Sequence, residues 1–83
     1  MTVAIVGNII KANFTPNASG GTDVNVPGLK IGDYVISVAY NNGGGRYINT
    51  NTGSFDANVQ TDDYLHQNGL DDSTDVIVFL IRP

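Results

Sequence analysis

The run Val76-Ile-Val-Phe-Leu-Ile81 is the most apolar in the chain, and with the Val26–Tyr40 stretch, around which the rest is arranged, it limits what this chain can fold into. Alternation along a strand sends Val76, Val78 and Leu80 to one face and Ile77, Phe79 and Ile81 to the other. Both faces are apolar, so the run reads as a strand covered on both sides. In a thin fold the second cover can come from another subunit. Arg82-Pro83 follows, and proline allows no further strand pairing.

A second stretch, Val26 to Tyr40, supplies the turn chemistry that leads into a strand. Pro27-Gly28 carries the signature of a type II turn, because proline fixes φ near −65° and glycine accepts φ > 0. Gly32-Asp33 makes a second short turn. The β-branched and aromatic run after it predicts a strand with Tyr34, Ile36, Val38 and Tyr40 on one side and Val35, Ser37 and Ala39 on the other.

The remaining segments read the same way. Thr2 to Ala12 is predicted as one strand with a bulge or close backbone approach at Gly7. Phe14 to Thr22 is a loop, and Val24 with Val26 marks a short edge strand. Asn41-Asn-Gly-Gly-Gly45 is a hairpin tip, with Arg46 to Thr50 as the returning strand. Asn51 to Ser54 is a turn, Phe55 to Thr61 a further short strand, and Thr61 to Gln67 a turn followed by a strand. Asn68 to Asp75 is polar and turn-rich. The expected fold is all-β: a small antiparallel β-sandwich or jelly-roll-like barrel of six to eight strands.

The chain has 83 residues, which is one domain (1–83) with a marginal core. It has no cysteine, so disulfides and thiolate metal sites are excluded. Self-association is the remaining aid to a small core. A charged fraction of 14% against the usual quarter also fits a surface partly hidden in an assembly. Net charge is −4, and all eight acidic residues are aspartates. Lys11, Lys30, Arg46 and Arg82 do not cluster, so neither nucleic acid nor an anionic membrane surface is an expected partner. The N-terminal stretch lacks the basic and apolar regions of a signal peptide, which predicts synthesis in the cytoplasm of the producing cell.

Catalytic machinery is sparse. His66 is the single histidine, no glycine elbow surrounds a serine, and His66 reads as a surface or interface residue, so no enzyme is expected. Asp71-Asp-Ser-Thr-Asp75 offers oxygen ligands at alternating positions. It lacks the glycine and distant glutamate of an EF-hand, and reads as aspartates bonding their own turn, with no metal or cofactor expected. The glycines of the 41–45 tip lack the Lys-Ser/Thr of a phosphate loop. Tyr34, Tyr40, Tyr47 and Tyr64 are candidate sugar-stacking rings. Asn41, Asn42, Arg46 and Tyr47 make the tip a candidate site for a host-surface glycan or receptor.

Three segments together resemble small β-rich structural proteins of tailed-bacteriophage and prophage virions. They are Val26-Pro-Gly-Leu-Lys-Ile-Gly-Asp-Tyr-Val-Ile-Ser-Val38, Thr61-Asp-Asp-Tyr-Leu-His-Gln67 and Asp75-Val-Ile-Val-Phe-Leu-Ile-Arg82. The resemblance implies a non-enzymatic virion component, such as a capsid decoration protein, a head fibre or knob, or a tail accessory. It further implies a homo-oligomer, with a trimer favoured, that docks on other virion proteins. The expected interface comprises Tyr34, Ile36, Val38, Val76, Ile77, Val78, Phe79, Leu80 and Ile81.

Overall fold

The 76–81 run occupies the middle of the larger of two sheets, in a computed structural model that describes residues 1–83. The strands are β1 (Thr2–Val6), β2 (Ile9–Phe14), β3 (Thr22–Asn25), β4 (Tyr34–Asn41), β5 (Tyr47–Thr50), β6 (Tyr64–Gln67) and β7 (Val76–Ile81), with one 3-10 turn at Thr52–Ser54. The large sheet runs β1-β2-β7-β4-β5 and the small one pairs β3 with β6. Every pairing is antiparallel. The fold is therefore all-β, a small two-layer antiparallel sandwich.

Cross-strand neighbours share a face, so the register assigns each side chain to the core or the outside. Ile10, Ala12 and Phe14 of β2 stand opposite Leu80, Val78 and Val76 of β7, and all six are buried. Val35 and Val38 of β4 close the other flank of β7. Val24 and Leu65 from the small sheet, with Val26, Leu29, Phe55 and Val59 from the connections, fill the space between the layers. Phe14 meets Phe55 edge to face, with ring centroids 5.7 Å apart, an arrangement aromatic quadrupoles favour.

Three expectations are corrected. Thr2 to Ala12 is a hairpin: β1 and β2 flank a two-residue turn at Gly7-Asn8 in which Gly7 has φ 60°. That is the position where a II′ turn requires glycine. In β4 the register shifts between Val35 and Ser37, a bulge that inserts one residue and reverses the alternation. Val35, Val38 and Tyr40 therefore face inward, while Tyr34, Ser37 and Ala39 pair with the outward residues of β7. Phe55 to Thr61 forms only isolated bridges, at Phe55, Asn58 and Thr61, although Phe55 and Val59 are buried. Ala57, which strand alternation would place on the same face as both, is exposed.

Close backbone approach occurs at Gly20, where a Cβ would lie 2.3 Å from the Asn68 carbonyl oxygen. Glycine there lets the loop between β2 and β3 lie against the end of β6.

The burial contrast within β7 sets an expected difference in stability. Leu80→Ala should cost about 2–4 kcal/mol, as a buried leucine that leaves a cavity. Ile81→Ala, on the half-exposed side, should cost less than about 1.5 kcal/mol. Urea unfolding of both variants measures this directly.

Candidate functional site

The outer face of the large sheet has no second layer over it, yet the part of it nearest Val6 and Tyr34 is apolar, giving way to a mixed row of Thr2, Asn13, Ile77, Ala39 and Asn49. One cross-strand row is Val6, Ile9, Ile81 and Tyr34, and the next is Ala4, Lys11, Phe79 and Ser37. Val6 is 79% exposed and Tyr34 51%. Ile36, in the bulge, is also exposed, and Ile77, Phe79 and Ile81 are half-buried. A sandwich that ends at water normally alternates apolar inside with polar outside. Lys11 is the one charged residue in these strands.

The expected interface residues therefore divide. Tyr34, Ile36, Ile77, Phe79 and Ile81 belong to the outer face. Val38, Val76, Val78 and Leu80 are 0–1% exposed and fill the chain's own core. The pleat sends them inward, so they are closed to a second chain, which corrects their assignment to the interface. Val6 and Ile9 join the face and were missed. The signal was the Gly7-Asn8 dipeptide, a hairpin turn that breaks the predicted single strand.

The tip residues are partly engaged within the chain. Tyr47 donates its hydroxyl to Asp75, and the Asn41 amide donates to the same carboxylate at 3.0 Å. Those two bonds hold the Asp75 carboxyl below its ordinary range. Asn41 also accepts from the Gly43 amide at 2.8 Å, shaping the turn. Asn42 and Arg46 stay exposed at the end of the hairpin. Asp71 accepts from the Ser73 amide at 3.0 Å and from the Ser73 hydroxyl, which lower its pKa. Asp71 and Asp75 thus serve different partners, and no three carboxylate or imidazole groups converge to hold a metal ion.

The polar residues of the 26–38, 61–67 and 75–82 segments are pins between loops. Asp33, 1% exposed, receives Arg82 through Nε to Oδ1 at 2.9 Å and Nη2 to Oδ2 at 2.8 Å. It also accepts from the Lys30 amide at 2.8 Å, and Arg82 reaches the Gly28 carbonyl at 2.9 Å. Burial pushes the Asp33 carboxyl up. The bonds from Arg82 and Lys30 and the charge of Arg82 outweigh that, and its pKa lies below the ordinary carboxylate value. Asp63, at φ 69°, accepts from the Gly28 amide at 2.8 Å. Gln67 is fully buried. Its oxygen takes the Asn17 amide at 2.8 Å, and its Nε2 reaches the carbonyls of Asn17, Ser19 and Leu70.

On the opposite side of the molecule, the outward face of the small sheet carries Asp23 opposite His66 and Asn25 opposite Tyr64. His66 Nδ1 lies 2.7 Å from Asp23 Oδ1. A groove of about 330 Å³ opens there between β3, β6 and the 56–61 segment.

These features define a class, a small two-layer antiparallel β protein with one uncovered apolar sheet face and one polar groove. No protein-family model matches the chain, and neither a curated protein nor a solved structure matches it.

Two outcomes test the pins. A carboxylate with a lowered folded-state pKa adds stability above its unfolded value and loses it as pH falls through the folded one. Asp33 should therefore make the protein lose stability below about pH 4. Asp33→Asn should flatten that acid limb in melts taken across pH. Gln67→Leu should cost about 2–3 kcal/mol by leaving the Asn17 amide and facing carbonyls without partners.

Proposed function

We propose that this chain is a non-enzymatic structural protein of a phage particle, made in the host cytoplasm, that works by self-association and docking. The observation that carries the reading is the uncovered apolar face formed by Val6, Ile9, Tyr34, Ile36, Phe79 and Ile81. Contiguous exposed apolar surface of this kind is kept where another surface covers it. The virion setting comes from the resemblance of the 26–38, 61–67 and 75–82 segments.

The occupant we assign to the face is a second copy, and the argument is electrostatic. With net charge −4, two copies repel, and carboxylates brought together in an interface would cost most. None of the eight aspartates lies on β1, β2, β4, β5 or β7. Asp75, just before β7, is held by Tyr47 and Asn41 at one end of the face, so the end formed by Val6, Ile9, Ile81 and Tyr34 is where two acidic chains can approach without opposing their carboxylates. Lys11 can lay its methylene stem along that surface and hold its ammonium at the margin.

A patch that pairs with its own copy closes as a two-fold dimer, whereas a trimer requires a second, different patch. Five strands about 4.8 Å apart and about six residues long present a face of roughly 20 by 20 Å. That is smaller than the roughly 800 Å² per partner of a standard interface, so the pair should dissociate on dilution. Light scattering coupled to size exclusion over a dilution series should show twice the 8.8 kDa chain mass at high concentration. Ile36→Lys and Val6→Lys change exposed side chains and should give folded monomers. A wild-type monomer at every concentration, or an oligomer indifferent to both substitutions, would remove the reading.

A further inference from the structure

We infer that the groove on the small sheet is a binding site for a neutral saccharide, built on Tyr64. It faces away from the large sheet's apolar surface, and the inference does not rest on self-association.

Val24 of β3 and Leu65 of β6 point into the core, at 3% and 0% exposure. Their neighbours Asp23, Tyr64 and His66 therefore point out. β6 has chain on both sides: β3 pairs with it along one edge, and Phe55 bridges Gln67 along the other. The Asp56 amide donates to the His66 carbonyl at 2.9 Å on that second edge. Tyr64 and His66 consequently form a floor, with Asp23 on one flank and Asp56, Asn58 and Gln60 on the other.

The unused hydrogen-bonding capacity of this groove is what identifies its ligand. Most amide side chains of the chain are committed internally, among them Asn13, Asn17, Asn25, Asn41, Asn68 and Gln67. Those of Asn58 and Gln60, and the hydroxyl of Tyr64, take no partner from the protein. Asp23 and Asp56 each engage one carboxylate oxygen, with His66 and Asn68 respectively, which leaves the second oxygen of each free to accept. Tyr64 is 41% exposed and is the single apolar lining residue.

One aromatic plane, two acceptor oxygens and two amides that both donate and accept match a pyranose. Such a ring presents a C–H face to an aromatic side chain and vicinal hydroxyls around its rim. The same residues reject other ligands. No lysine or arginine lines the groove, so its two carboxylates repel sialylated, sulfated or phosphorylated molecules.

The test is a printed array carrying neutral hexose- and N-acetylhexosamine-terminated glycans beside sialylated and sulfated ones, followed by NMR titration of the retained free sugar. Wild type should hold neutral glycans only. Tyr64→Ala should weaken binding by about tenfold through loss of the stacking ring. Gln60→Ala, an exposed change that leaves the sheet intact, should weaken it by about threefold through one lost hydrogen bond. Tyr47→Ala, at the hairpin tip, should bind as wild type does. The inference is overturned if no neutral glycan is retained or charged glycans are held equally well. It is also overturned if Tyr64→Ala and Gln60→Ala leave binding unchanged, or if the loss occurs in Tyr47→Ala. Light scattering on the same variants reports self-association separately, so either reading can fail without the other.

Discussion

The ion pair between Asp33 and Arg82 joins the two stretches that organise this molecule. Asp33 sits at the end of the turn that launches β4, and Arg82 directly follows β7. Both nitrogens of the guanidinium fork used here bind carboxylate oxygens, while the fork also holds the Gly28 carbonyl. A buried carboxylate without such a partner would oppose folding, because desolvation penalises the charge. With Arg82 in place, the same group fixes the register in which β7 lies against β4. The last strand thus locks into the middle of the sheet at the turn where its neighbour begins.

Because β7 lies between β2 and β4, the large sheet is incomplete until the final strand arrives. The chain passes from β2 to the small sheet, back to β4, across again to β6, and returns as β7. Three of the five strand pairings, β2–β7, β4–β7 and β3–β6, are therefore distant in sequence, which makes closure entropically demanding. The pins from Gln67 to the 17–19 loop and from Asp63 to Gly28 hold those crossings together. They carry structural weight that a chain of 83 residues without cysteine cannot place in disulfides.

The two layers leave two dissimilar outer surfaces. The large sheet ends in Val6, Ile9, Tyr34 and Ile81, and the small one in Asp23, Tyr64 and His66. Their separation follows from the pleat. Residues one position apart point to opposite sides, so once the core claims Val24 and Leu65, the polar neighbours face water. The same rule applied to β7 exposes Ile77, Phe79 and Ile81, for which water is a poor partner. One side of the molecule is therefore apolar and the other polar and grooved.

The sequence by itself determined the all-β class, the strand at 76–81, the hairpin tip at 41–45 and the turn at 27–28, because period-two patterning and glycine or proline turn chemistry are local. It placed the second turn one residue late, its centre being Ile31-Gly32. It also exposed two-sided apolarity in β7 without saying which side the chain would cover. Only the tertiary structure decided that, since cover depends on where β3 and β6 cross the sheet. The bulge at Val35–Ser37 was equally hidden: one inserted residue reverses the faces of β4 without changing composition, and it turns Tyr34 out and Tyr40 in. Tyr64, His66, Asp56 and Gln60 gave no joint signal, because they meet through pairing and loop placement rather than spacing. Asp33 and Arg82, 49 residues apart, read as a turn residue and a terminal cation, and became a pair only when folding brought the two strand ends together.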